Sequence, residues 1–190
     1  MKPCILCRYS EIALKGKNRF VFEDRLIANI RDCLRRNSVI ADVRKIRGRI
    51  IIYTEDHGAY KFVKDVFGLS SLSPAFEIAS DFDTILAISD EYTSSHLPKG
   101  AKTFRISTNR ADKSFPMNSN IVDDKVGYSV GEKYDLKADL KSPDYNLHIE
   151  IHKETFIYHE KIACHGGLPV GVSGNIARDT DRKAAMTGNL

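Results

Sequence analysis

The chain has 190 residues, of which 42% are hydrophobic and 28% are charged, a composition typical of a globular protein. No uninterrupted apolar run approaches the ~20 residues of a membrane-spanning helix, and the first residues lack the apolar segment and cleavage site of a signal peptide. We therefore expect a cytoplasmic protein without membrane contact.

Positive charge is concentrated near the start of the chain. Residues 1–50 contain 13 Lys and Arg against 5 Asp and Glu, whereas the remaining residues contain 16 basic and 20 acidic side chains. A concentrated positive field attracts a polyanion more strongly than the same charge spread evenly. A solvated helix face would give the same count, so charge alone leaves both interpretations open.

Six elements are predicted in the first 78 residues. A strand over 3–9 precedes a helix over 19–37, whose apolar residues recur three or four positions apart. Then come a hairpin ("DVRKI" and "RIIIYTE"), a short helix ("GAYKFVKDVFG") and a strand over 71–79. We place this last strand at the sheet edge because Pro74 cannot donate to a neighbouring strand. The order is that of the split βαβ, ferredoxin-like fold.

A second unit is predicted over residues 79–165. It contains an amphipathic helix after Ser80, the strand "TFRISTNR", a helix over 119–134 and the hairpin "NLHIEIHKETFIYHEK". The whole chain is therefore predicted to be α+β, an α/β sandwich. Residues 166–190 are predicted to be a flexible glycine-rich linker and a polar tail, because "GGLPVGVSG" lacks the Gly-Lys-Ser/Thr ending of a phosphate-binding loop.

The stretch "RYSEIALKGKNRF", residues 8–20, is a candidate phosphate-binding loop. A glycine between lysines lets backbone amides and ammonium groups approach one anion, and a helix starting near residue 19 directs its positive end to the same place. An ordinary solvated loop stays the alternative, and Glu11 is expected to order it through salt bridges. The candidate RNA ligands are Arg8, Lys15, Lys17, Asn18 and Arg19.

A second basic stretch, "STNRADKSFPMNSN", follows the first strand of the second unit. Arg105, Arg110 and Lys113 are separated by small polar residues and are candidate RNA ligands. Phe115 is predicted to stack on an unpaired base. An ordinary loop before a helix is again the alternative.

Two patterns invite a metal-site interpretation, and we favour it for neither. Cys4-x-x-Cys7 lies in a predicted strand, where side chains three apart point to opposite faces. His148-x-Glu150-x-His152 shares one strand face, but its alternation with apolar residues is typical of a half-solvated strand. We expect no metal, no cofactor and no catalytic residue.

Four segments in register resemble the tRNA 4-thiouridine synthetases, or tRNA sulfurtransferases, over residues 5–174. They are "RYSEIALKGKNRFVFEDRL", "VFGLSSLSPAFEI", "TFRISTNRADKSFPMNS" and "CHGGLPVGVSG". The resemblance implies a ferredoxin-like N-terminal domain followed by a THUMP domain, an RNA-binding module of tRNA-modifying enzymes. It also implies that the two domains act together on the acceptor end of tRNA.

The sequence departs from that family in two places. Ser10 stands where the family commonly has glycine, a change between small residues. After the linker the family continues into an adenylating PP-loop domain, whereas here "NIARDTDRKAAMTGNL" follows. Cys164 matches no catalytic cysteine of the family.

We therefore predict a protein that binds the acceptor stem and 3′ end of tRNA. It would present the tRNA for 4-thiouridine formation to a separate sulfur-transferring PP-loop enzyme. Two alternatives stay open: the front portion of a complete tRNA sulfurtransferase, and a ferredoxin-like regulatory or dimerisation module that binds no RNA. Whether the protein forms a homodimer also stays open.

Overall fold

The computed structural model describes residues 1–14, 18–46 and 48–172. The first half contains β1 (Lys2–Arg8), a 3-10 turn (Glu11–Leu14), α1 (Arg19–Arg36), β2 (Asp42–Ile46), β3 (Arg49–Tyr53), α2 (Tyr60–Val63) and β4 (Ser71–Ile78). The second half contains α3 (Phe82–His96), β5 (Thr103–Arg110), α4 (Ser119–Tyr134), β6 (Lys137–Ala138), β7 (Tyr145–Ile151), β8 (Thr155–Tyr158) and β9 (Ile162–Ala163). The predicted elements are present, although α2 is shorter than its sequence pattern indicated.

The strands of both halves join one sheet. Its order is β2-β3-β1-β4-β8-β7-β5-β6, with β9 paired to β4 beside β8. The first four strands have the order of a ferredoxin-like fold, which confirms the predicted α+β class. Strand β5 runs parallel to β6 and β7, and the other pairs are antiparallel. The pairing of β4 with β8 therefore connects the two halves through the backbone.

The prediction that β4 is an edge strand is wrong. It pairs with β1 over its full length and with β8 and β9 on its other side. The second set of partners is interrupted: β9 pairs with residues 71–72 and β8 pairs with residues 76–78. Pro74 lies in the gap between them, where a missing amide hydrogen costs no ladder bond on that side.

The four helices described in the structure pack on one face of the sheet. In the first half Leu26 and Ile30 of α1 contact a cluster that includes Ile5 and Cys7 of β1. In the second half α3 and α4 pack on the inward residues of β5 and β7. The predicted apolar stripe of α4 is confirmed, and its members are all buried: Val122, Val126 and Val130. None of these helices is long and apolar enough to cross a bilayer.

The opposite face of the sheet carries no helix in the part of the chain that the structure describes. We call it the open face. Because side chains alternate along a strand, Cys4, Leu6 and Arg8 of β1 point to this face, away from Ile5 and Cys7. A small apolar cluster lies here, with Leu6 and Phe156 fully buried. Charged residues from both halves surround it.

Residues 162–171, the return segment, lead back from the second half to the first. The amide of Gly166 donates to the Leu69 carbonyl oxygen at 2.6 Å, and the amide of Gly68 donates to the Gly166 carbonyl oxygen at 2.8 Å. The Val170 carbonyl oxygen accepts from Arg25 Nε at 3.0 Å and Asn29 Nδ2 at 3.1 Å. The predicted flexible linker is thus held against α1 up to residue 171, and residues 173–190 lie outside the described part.

Gly68→Ala should loosen the return segment. Gly68 has a φ of +106°, and an added Cβ would lie 3.1 Å from Pro169 Cγ and 3.2 Å from Leu26 Cδ1. We expect a loss of about 2–3 kcal/mol in unfolding free energy, from backbone strain and overpacking together. Urea denaturation measures it.

Gly100→Ala is the matched control. Gly100 has a φ of +82° but no atom within 4 Å of the added Cβ, so this variant reports backbone strain alone. Equal losses in the two variants would show that packing of Pro169 on Gly68 contributes nothing to stability.

Candidate nucleic-acid interface

A buried carboxylate connects the two halves on the open face. Glu150 of β7 is 4% exposed. Its Oε1 accepts from Arg8 Nη2 at 2.8 Å and from the Tyr158 hydroxyl at 2.7 Å. Its Oε2 accepts from Arg49 Nε at 3.1 Å and lies 3.5 Å from His152 Nε2. Arginines from β1 and β3 therefore converge on one acid of the second half.

The charges around Glu150 keep it ionised. Burial by itself would raise the pKa of Glu150, but the His152 imidazole and the guanidinium charges of Arg8 and Arg49 outweigh burial and hold this pKa well below its usual range. Burial and the charge of Arg8 lower the pKa of His148 to about 4, so this imidazole is neutral at pH 7.

Arg8, a predicted RNA ligand, is held within the protein by a buried network. It is 7% exposed, and its Nε and Nη2 both donate to Glu150. Its Nη1 donates to Ser73 Oγ at 3.0 Å, and the guanidinium lies 4.7 Å from the centre of the Tyr158 ring. These contacts leave it little capacity for a phosphate.

A cleft of about 310 Å³ opens beside this network, and we call it the open-face cleft. It is lined by four cationic and two acidic side chains, which give a net charge of +2 with His148 neutral. Arg8 and Arg49 come from the first half and Arg105 and Lys161 from the second. The other lining residues are Ser107, Thr108, Asn109, Asp123, His148, Glu150 and Tyr158.

Three of these cations retain donors that can face a ligand. Arg49 is 23% exposed and uses Nε for Glu150 and Nη1 for the Gly48 carbonyl oxygen. Arg105 donates from Nη1 to the Leu140 carbonyl oxygen at 2.9 Å, while its buried Nε has no hydrogen-bond partner among the described residues. Lys161 is exposed. A buried donor without a partner calls for a ligand or water.

The first predicted basic stretch is described only in part. Lys15 and Lys17 lie outside the described residues. Asn18 occupies the position before α1, as predicted, but its side chain makes no capping hydrogen bond. Arg19 donates to Glu23 at 2.5 Å and to the Tyr9 hydroxyl at 3.0 Å, and its side chain is 36% exposed. Its guanidinium is thus largely committed within the protein.

The second predicted basic stretch does not form one cluster. Arg105 points to the open face, whereas Arg110, five residues later, points to the helix-covered face. Arg110 Nη1 donates to the carbonyl oxygens of Phe115 and Met117, so it braces the loop before α4. Lys113 is exposed. Phe115 is 5% exposed, and the prediction that it stacks on a base is wrong.

Sequence reasoning selected Arg8 and Arg105 of the open-face cleft but missed Arg49 and Lys161. Arg49 and Lys161 follow no motif, and only strand pairing brings them together. The alternation of β7 did place Glu150 on a polar face. Asn146 and His148 of that face are half-buried, as a half-solvated strand requires, whereas Glu150 itself is buried.

Among the described residues, no group of three His, Cys, Asp or Glu side chains could hold a metal ion. Glu150 is engaged by two arginines instead. Cys4 and Cys7 are both buried, and burial raises the pKa of Cys4 to about 12. This thiol is therefore protonated and unreactive at neutral pH.

Two family models match the chain. The model of the ThiI ferredoxin-like domain matches residues 4–73, and the THUMP domain model matches residues 79–160. The protein is thus of the class that combines a ThiI ferredoxin-like domain with a THUMP domain.

Individual relatives specify the family. A probable tRNA sulfurtransferase of Acetivibrio thermocellus is 37% identical over 183 residues, which cover 92% of this chain and 46% of the relative. The PH1313 structure from Pyrococcus horikoshii Ot3 matches with a TM-score of 0.83 and 32% identity over 90% of this chain and 58% of its own.

A solved complex of a 4-thiouridine synthetase with RNA and ATP matches with a TM-score of 0.78 and 30% identity, over 92% of this chain and 45% of its own. The chain matches the N-terminal ferredoxin-like and THUMP portion of the tRNA sulfurtransferases, and it spans about half the length of the relatives it matches.

Glu150→Gln should destabilise the protein in a pH-dependent way. It leaves Arg8 and Arg49 without their anion, and breaking a buried ion pair costs about 3–5 kcal/mol at pH 7. Because the folded pKa of Glu150 is depressed, its contribution is complete above the unfolded pKa of about 4.3 and declines as the pH falls below it.

Chemical denaturation at pH 7 and at pH 3 measures the difference between the wild type and this variant. The difference in unfolding free energy between the two proteins should be smaller at pH 3 than at pH 7. Glu160→Gln removes an exposed carboxylate of the same charge and is the control. An equal difference in unfolding free energy at the two pH values would contradict the conclusion that Glu150 is ionised in the folded protein.

Proposed function

We propose that this chain binds the acceptor region of tRNA and presents it for 4-thiouridine formation by a sulfur-transferring PP-loop enzyme. The likeness to the 4-thiouridine synthetase–RNA complex, over 92% of this chain, is the main support. The open-face cleft adds a physical reason. Its cationic side chains offer charge-assisted hydrogen bonds to phosphate oxygens, and they come from both halves of the sheet.

Two parts of the surface contribute to the proposed binding in different ways. Lys15 and Lys17 precede the start of α1, where they can hold backbone phosphates of the acceptor stem. The open-face cleft is too small for a duplex and suits the single-stranded 3′ end, whose phosphates and bases are reachable one at a time. Lys113 is exposed and stays a candidate contact.

The sulfur transfer itself is assigned to a PP-loop domain, and there are two arrangements for it. It belongs either to a separate protein or to the same polypeptide, as in a complete sulfurtransferase. The second arrangement is supported by the relatives, of which this chain spans 46%. Mixing the purified chain with a PP-loop protein and assaying tRNA for 4-thiouridine distinguishes them, since only a separate partner restores thiolation in trans.

Binding of tRNA should depend strongly on salt. If four to six phosphates are neutralised, affinity should fall by about 10²–10³-fold between 50 and 200 mM salt, with the B-DNA coefficient as a guide. Filter binding at four salt concentrations gives the slope. A flat response, or no binding at 50 mM salt, would instead favour the regulatory or dimerisation module.

The double variant Arg105→Ala/Lys161→Ala should lose preference for the 3′ end. Its affinity for intact tRNA should fall by about 1–3 kcal/mol per lost charge-assisted contact, while its affinity for tRNA trimmed of the single-stranded end should change little. Lys15→Ala/Lys17→Ala should lower the affinity for intact tRNA and for trimmed tRNA equally.

Lys99→Ala/Lys102→Ala is the control, because it removes two exposed charges that do not line the cleft. Equal losses for intact and trimmed tRNA in the Arg105/Lys161 variant would refute the assignment of the cleft to the 3′ end.

A further inference from the structure

We propose that the open-face cleft holds one backbone phosphate of a single-stranded RNA end, and that Glu150 is the positioning residue of this subsite. This inference rests on the proposed binding of tRNA and adds to it a named subsite and a role for a buried acid. The cleft volume of about 310 Å³ suits a single nucleotide unit.

The phosphate donors come from three separate elements. Arg49 is the first residue of β3 in the first half, Arg105 lies on β5, and Lys161 lies between β8 and β9. Among the described residues, the donors without a hydrogen-bond partner are the terminal Nη2 of Arg49, the Nε of Arg105 and the ammonium of Lys161. The two charged oxygens of a phosphodiester accept several hydrogen bonds, so three donors around one small volume can bind the same phosphate.

Glu150 determines where the first-half arginines lie. Its Oε1 takes two hydrogens of Arg8, and its Oε2 takes the Nε hydrogen of Arg49 and so directs the remaining edge of that guanidinium. Both oxygens are occupied, so the acid makes no contact with RNA. Without its charge, Arg8 and Arg49 repel each other and the alignment of the two halves at the cleft is lost.

The Tyr158 hydroxyl and the neighbouring rings reinforce this arrangement. Tyr158 donates to Glu150, lies under the guanidinium of Arg8, and stacks on His148 with centroids 4.9 Å apart. His148 is neutral at pH 7 and lines the cleft, so it adds no charge that would compete with the arginines. The subsite is therefore assembled before any ligand arrives.

The test compares intact tRNA with tRNA trimmed of its single-stranded 3′ end, at one salt concentration, for the wild type, Glu150→Gln and Glu160→Gln. Glu150→Gln raises the net charge by one, so it should bind the trimmed RNA as well as the wild type does or better. The ratio of its affinity for intact tRNA to its affinity for trimmed tRNA should fall close to one, to within a factor of about two. Glu160→Gln, with the same charge change, should keep the wild-type ratio.

A purely structural Glu150 would lower both affinities in proportion to the folded fraction and leave the ratio unchanged, and that result would overturn the inference. Tyr158→Phe removes one hydrogen bond to Glu150 and serves as the milder variant if Glu150→Gln does not fold. It should lower the ratio in the same direction, and an unchanged ratio with intact fold would again overturn it. Failure of the wild type to bind tRNA would instead contradict the proposed function.

Discussion

The ion pair between Arg8 and Glu150 is the contact on which the open face depends. It joins β1 of the ferredoxin-like half to β7 of the THUMP half, across the seam where β4 pairs with β8. A buried carboxylate is costly unless its oxygens are satisfied, and here Arg8, Arg49 and Tyr158 satisfy them. The two halves are therefore held together by charge on one face and by backbone pairing within the sheet.

The distribution of helices explains why the basic residues can act as one surface. All four described helices cover one face, so strands from both halves expose a continuous second face. The return segment strengthens this arrangement, because Arg25 and Asn29 hold the Val170 carbonyl against α1 after the chain has left the second half. A rigid relation between the halves suits a surface that contacts two regions of one RNA.

Local signals in the sequence predicted most of the fold. Periodicity located α1, α3 and α4, and the element order identified the ferredoxin-like half. Pairing between strands that are distant in sequence was not predictable in the same way. Pro74 indicated an edge strand, yet β4 lies inside the sheet, because Pro74 faces the gap between β8 and β9. The same limit affected the site. Arg110 and Phe115 have the local pattern of surface groups, because nothing in the nearby sequence shows that Arg110 braces the loop and that Phe115 is buried.

The most direct test of the account is the lysine reactivity of the protein with and without tRNA, measured by acetylation and mass spectrometry. Lys161 lines the cleft, whereas Lys64 follows α2 and Lys125 lies on α4, on the helix-covered side, and all three are exposed. The account predicts that tRNA protects Lys161 and leaves Lys64 and Lys125 unchanged. Protection of Lys64 and Lys125 with full reactivity at Lys161 would place the RNA on the other face and contradict it.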